Sequence, residues 1–173
     1  MDYAERSRKC RRKTHFLKNL YLERADTARA RRYMEEAERL LAASAADRPL
    51  LEALRVRYLL AAGRVAEADR LVEQALRRAP QQVELQLLHV RTDLAQNLPQ
   101  KARLRLESLL AKTESLDQRI SCFELLAEAL HREGRVEEAL AYKDSVVAAT
   151  RQLHQTHREA QRESLQTRFE WQH

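Results

Sequence analysis

A spacing near 34 residues constrains this chain more than any other feature. It runs through Leu59-Leu60-Ala61-Ala62-Gly63, then Ala68, Ala75-Leu76 and Pro80. A second copy gives Leu130-His131-Arg132-Glu133-Gly134, then Ala139 and Val146-Val147. A degenerate copy lies between them at Leu94, Asn97, Ala102 and Leu109-Leu110. Such a period marks stacked helical hairpins, because one hairpin cannot bury its own apolar stripe and needs a neighbour to close a shared core.

The residue types suit that reading. A small residue early in the second helix of each hairpin lets two backbones approach, which accounts for Ala68, Ala102 and Ala139. A turn between two helices favours Gly, or an Asn that tolerates positive φ, and Gly63, Asn97 and Gly134 fall there. Pro80 cannot continue a helical hydrogen-bond ladder. With only 2 Gly and 3 Pro in 173 residues, little is left to punctuate strands. The abundant Ala, Leu, Arg, Glu and Gln are good helix formers. The expectation is therefore all-α.

These residues resemble the tetratricopeptide repeat. In a copy from Pro49 to Gln82, Gly63, Ala68, Ala75 and Pro80 match that pattern. In a copy from Ile120, Ala127, Gly134 and Ala139 match, with Phe123 at the usual Trp place; the copy from Val83 keeps Asn97 and Ala102. A weaker first copy is read from Ala25-Asp26, Ala30, Met34 and Ala37. No copy has Gly at the eighth position, and only one has the terminal Pro. The resemblance implies a right-handed superhelical solenoid of three to four hairpins plus a long C-terminal helix. The expected organisation is a basic segment over residues 1–13, repeats over 14–150 and an extended helix over 151–173.

In the resembled family the first helix of each hairpin lines a concave groove for a peptide or a helix. Carried onto this chain, that role falls on Ala53, Arg57, Leu60 and Ala61; on Glu84, Leu87, Arg91, Leu94 and Ala95; and on Ser121, Glu124, Glu128, His131 and Arg132. The surface would be basic and apolar in its middle and acidic towards its C-terminal end, so a segment of mixed charge or an amphipathic helix would complement it. The Lys and Asn with which the family clamps a C-terminal carboxylate are absent from those places. The implied function is a non-enzymatic protein–protein interaction module, a scaffold or adaptor.

Charge is uneven. Residues 1–32 hold 11 Lys plus Arg against 4 Asp plus Glu, whereas the whole chain carries +6, so the basic character is local. Arg6, Arg8, Lys9, Arg11, Arg12 and Lys13 crowd into eight positions. Such a run contacts phosphates, anionic lipid headgroups or an acidic protein. Only Tyr3 and Phe16 flank it for base stacking, and no residue set for reading base edges is evident. Anionic-surface or nucleic-acid binding is thus an alternative to groove binding.

The residues offer little catalytic chemistry. Two glycines do not build a phosphate-binding loop. The two cysteines, Cys10 and Cys122, have no metal-ligand spacing and make a disulfide framework unlike this chain. Cys122 reads as a small core residue beside Phe123, and Cys10, between Lys9 and Arg11, as a surface thiol whose thiolate form the cations favour. His154-x-x-His157 puts two imidazoles on one helix face, with His131 and Glu159 as conceivable further donors, among solvated Gln and Arg. Neither a cofactor nor a metal is expected, and no enzyme activity.

No run of 18 apolar residues is present to span a bilayer, and Met1–Leu20 has no apolar centre of a secretory signal. The expectation is a soluble, cytoplasmic chain. From Val136 to His173 there is neither Gly nor Pro, and beyond Leu153 the apolar positions thin to Ala160, Leu165, Phe169 and Trp171. That stripe is weak for a coiled coil, though self-association through this end is a further alternative. Tyr142-Lys143-Asp144-Ser145 and Glu163-Ser164-Leu165-Gln166-Thr167-Arg168-Phe169-Glu170-Trp171-Gln172 resemble the exit of repeat domains in bacterial membrane-bound regulators. That resemblance implies the alternative that the chain is the soluble sensory segment of a membrane-anchored bacterial signalling or transcription regulator.

Overall fold

The structure is a computed structural model that describes residues 31, 32, 34–36, 38, 39 and 48–170, the last four by backbone alone. Every regular element among the described residues is helical. Six helices follow in order: α1 Arg48–Ala61, α2 Val65–Arg78, α3 Val83–Ala95, α4 Pro99–Leu110, α5 Leu116–Arg132 and α6 Val136–Glu170. The described residues between 31 and 39 are helical as well. Met34 is buried there, and Glu38 accepts a 2.9 Å bond from Arg55 Nε of α1. The basic run at 6–13, Cys10, Ala25, Asp26, Ala30, Ala37 and Trp171 lie outside the described residues.

Three turns share one hydrogen-bond pattern. After α1, Gly63 N–H donates to Leu60 O at 3.1 Å and Arg64 N–H to Leu59 O at 2.8 Å. After α3, Asn97 N–H donates to Leu94 O at 3.0 Å and Leu98 N–H to Asp93 O at 2.9 Å. After α5, Gly134 N–H donates to His131 O at 3.0 Å and Arg135 N–H to Leu130 O at 2.9 Å. This is the Schellman closure, which satisfies carbonyls left open at a helix end and needs a left-handed residue at its centre. That residue is Gly63 at φ 73°, Asn97 at φ 61° and Gly134 at φ 81°. Five residues after each of them sits Ala68, Ala102 or Ala139, all buried.

The next helix starts alike after two of these turns. Arg64 bonds Glu67 and Arg135 bonds Glu138, three residues on, with shortest distances of 2.6 Å in both. Each Glu lies in a first helical turn, where exposed N–H groups favour negative charge. The recurring string Gly-Arg-Val-x-Glu-Ala, at 63–68 and 134–139, extends the repeat further than its small residues alone do. At the third turn Pro99 opens α4, where the missing N–H would have been unsatisfied in any case.

The chain divides into two compact units, Met1–Leu98 and Pro99–His173. In the first, α2 packs on α1, and α3 packs on both. Their shared core is Ala53, Val56 and Leu60 of α1, Ala68, Val72 and Ala75 of α2, and Leu85 and Leu88 of α3. Glu52, buried on α1, pairs with Arg78 at the far end of α2 and stands 3.6 Å from Arg48. In the second unit, α5 packs against α4 and α6. It buries Cys122, Leu125, Leu126, Ala127, Ala129 and Leu130. Phe123 of α5 meets Tyr142 of α6 with ring centroids 5.9 Å apart, and Arg119 caps the Phe123 ring at 5.5 Å.

The helix α6 is 35 residues long, about twice the 17 of its neighbour α5. At 1.5 Å per residue it reaches about 52 Å. Among its residues whose side chains are described, the last buried one is Ala149, and residues 154–166 are all exposed.

Candidate functional site

On α1, Ala53, Arg57 and Leu60 fall on one stripe, four and then three residues apart. On α3, Glu84, Leu87, Arg91 and Leu94 also share a stripe, three, four and three residues apart. The structure divides these residues by polarity. Ala53, Leu60, Leu87 and Leu94 are buried. Leu60 belongs to the core shared by α1, α2 and α3. Leu60 is packed where α1, α2 and α3 meet, and Leu87 is buried on α3, so among these stripe residues the polar side chains are the accessible ones.

Arg57, Glu84 and Arg91 come together. Arg57 forms an ion pair with Glu84, and its side chain retains only 14 % exposure. Burial, and then the neighbouring positive charge of Arg91, lower the Arg57 guanidinium to about 10. It is still charged at neutral pH, held against water by Glu84. Arg91 is half-buried, and Glu84 is 43 % exposed.

In the second unit, Glu124, Glu128 and His131 are exposed on one stripe of α5, four and three residues apart. Arg132 Nη2 bonds Glu128 at 2.5 Å. The stripe is accessible, acidic at Glu124 and tempered by the cation one turn after Glu128. His154 and His157 are exposed on α6. Cys122 is fully buried, and burial pushes its thiol up to about 11, as a core residue requires and a nucleophile does not.

One cluster was not anticipated from the sequence. Asp69 and Glu73 of α2 and the buried His89 of α3 bring one ligand atom each within 4.8 Å of one another. His89 Nε2 stands 3.6 Å from Asp69 Oδ1, longer than a hydrogen bond. The Thr92 hydroxyl lies 3.0 Å from Asp69 Oδ1 and 2.7 Å from the His89 carbonyl oxygen. The only sequence signal was the i, i+4 spacing of Asp69 and Glu73. The histidine joins them through the register of α3 on α2, which local spacing does not reveal.

No protein-family model matches the chain, and neither a curated protein nor a solved structure matches it. No helix among the described residues is long and apolar enough to cross a membrane.

Proposed function

We propose that this chain is a helical-repeat protein of the tetratricopeptide kind, a non-enzymatic module that binds a protein or peptide segment along the first helices of its hairpins. One observation carries the reading: the same turn, with the same buried alanine five residues on, recurs at Gly63, Asn97 and Gly134. In the resembled family the first helix of each such hairpin is the one that meets a partner. The basic Arg57 and Arg91 and the acidic Glu124 and Glu128 favour a partner segment of mixed charge.

Site-specific photo-crosslinking in producing cells tests this. A crosslinker is placed at Glu124 or His131 of α5, and as a control at Leu104 of α4 or Val147 of α6, all exposed. The expected result is one discrete adduct from the α5 positions, lost in Glu128→Lys, and none from the controls. Adducts of equal yield from all positions, or none from α5, overturn the reading.

The length of α6 favours one addition. A helix running well past its own hairpin transmits a binding event to whatever lies at its far end, as in the sensory segment of a bacterial regulator. An immunoblot of fractionated cells tests it: a much larger band in the membrane fraction is expected, and a free 20.3 kDa band in the soluble fraction counts against it.

A further inference from the structure

The first unit carries a set of ligand types that the binding surface does not use. Asp69 and Glu73 lie one helical turn apart on α2, so both carboxylates leave the same side of the helix. His89 enters from α3, with 5 % of its surface exposed. The three donor atoms already lie within 4.8 Å of one another. Donors held about 2.0–2.2 Å from a small divalent ion stand roughly 3.4 Å apart in a tetrahedral arrangement. The 3.6 Å between His89 Nε2 and Asp69 Oδ1 is close to that spacing. Glu73 is exposed and has the rotamer freedom to swing in.

We propose that Asp69, Glu73 and His89 form a site for a borderline divalent transition-metal ion, Zn2+ in the first instance. One imidazole nitrogen and two carboxylate oxygens suit Zn2+ or Co2+ and give Mg2+ or Ca2+ little reason to enter, since those ions prefer all-oxygen shells. Three protein ligands leave further positions for water. The Thr92 hydroxyl, close to Asp69 Oδ1, is placed to orient that carboxylate as an outer partner. Metal bound here ties α2 to α3, adding a cross-link to the unit in which Arg57, Glu84 and Arg91 meet.

The test is titration of the full-length chain with Zn2+ by calorimetry, and with Co2+ by visible absorption. A background of Cys10→Ser and His154→Gln/His157→Gln removes the competing thiol and the exposed imidazole pair. The expected result is one ion per chain, a Co2+ spectrum free of the thiolate charge-transfer band, and a melting temperature that rises with Zn2+. Glu73→Gln, at an exposed position that leaves the helical circular dichroism unchanged, weakens binding at least about tenfold, as does Asp69→Asn. Absence of stoichiometric binding in that background, or undiminished binding in Glu73→Gln, overturns the proposal.

Discussion

Arg103 of α4 bonds Glu133, the residue that closes α5, with Nε 3.1 Å from Oε1. The Glu133 side chain is 9 % exposed, and Arg135 also approaches it at 3.5 Å. Arg103 reaches Glu107 of its own helix as well, at 2.9 Å. Its neighbours differ in depth, and so should their energies. Glu133→Ala should destabilise the chain by about 1 kcal/mol, since the low exposure of the Glu133 carboxylate leaves this pair less screened, while Arg103 keeps Glu107. Glu107→Ala, at an exposed pair, should cost less than about 0.5 kcal/mol. Urea unfolding followed by circular dichroism compares the two, and equal costs would show that shielding is irrelevant here.

The left-handed turns make a second comparison. A methyl added at Gly63 or Gly134 meets nothing within 4 Å, so only backbone strain opposes it. Gly63→Ala and Gly134→Ala should each cost about 1–2 kcal/mol. Asn97 holds the same conformation with a side chain, so Asn97→Gly should leave stability equal or higher by up to about 1 kcal/mol. A stabilised Gly63→Ala, read from its melting temperature, would refute the turn assignment.

Cys122 links burial to pH. Its thiol is held at about 11 when folded, whereas an unfolded thiol titrates near 8.5. The unfolded chain therefore loses this proton first. The resulting stability is complete below about pH 8.5 and drains away as pH rises towards 11. Between pH 8 and 10 the parent chain should lose about 1–2 kcal/mol more than Cys122→Ala does. In a Cys10→Ser background, a thiol reagent at pH 8 should label Cys122 only once denaturant is added. Rapid labelling of the folded chain would contradict its burial.

The exposed stretch of α6, residues 154–166, should contribute little to stability. Residues 154–166 are exposed throughout, and Leu165 alone is 55 % exposed. Leu165→Ser should change the melting temperature by less than about 3 °C, because almost no apolar area leaves the core. A larger drop would mean that the exposed stretch is buried in solution, as self-association through Leu165 would require; light scattering of both chains separates the two cases.

Much of the local structure was legible in the residues. The three turns, the buried alanines at 68, 102 and 139 and the continuous last helix rest on interactions within a few residues. A left-handed turn is written in one Gly or Asn, and a helix in its composition and the absence of breakers. Two features escaped notice. The paired Arg64–Glu67 and Arg135–Glu138 belong to a repeated string whose charged members carry no turn signal of their own. The Asp69–Glu73–His89 cluster was hidden because its members come from two helices.

By itself the sequence determined that this chain is helical, where its hairpins turn and which residues share a stripe, because all three follow from short-range geometry. Tertiary structure alone decided which members of a stripe see water. Leu60 and Arg57 lie on the same side of α1, yet one joins the core and the other keeps its charge beside Glu84. It also decided that His89 meets Asp69 and Glu73. Both outcomes depend on how α3 seats against α1 and α2, a register set by the summed burial of many side chains rather than by any one of them.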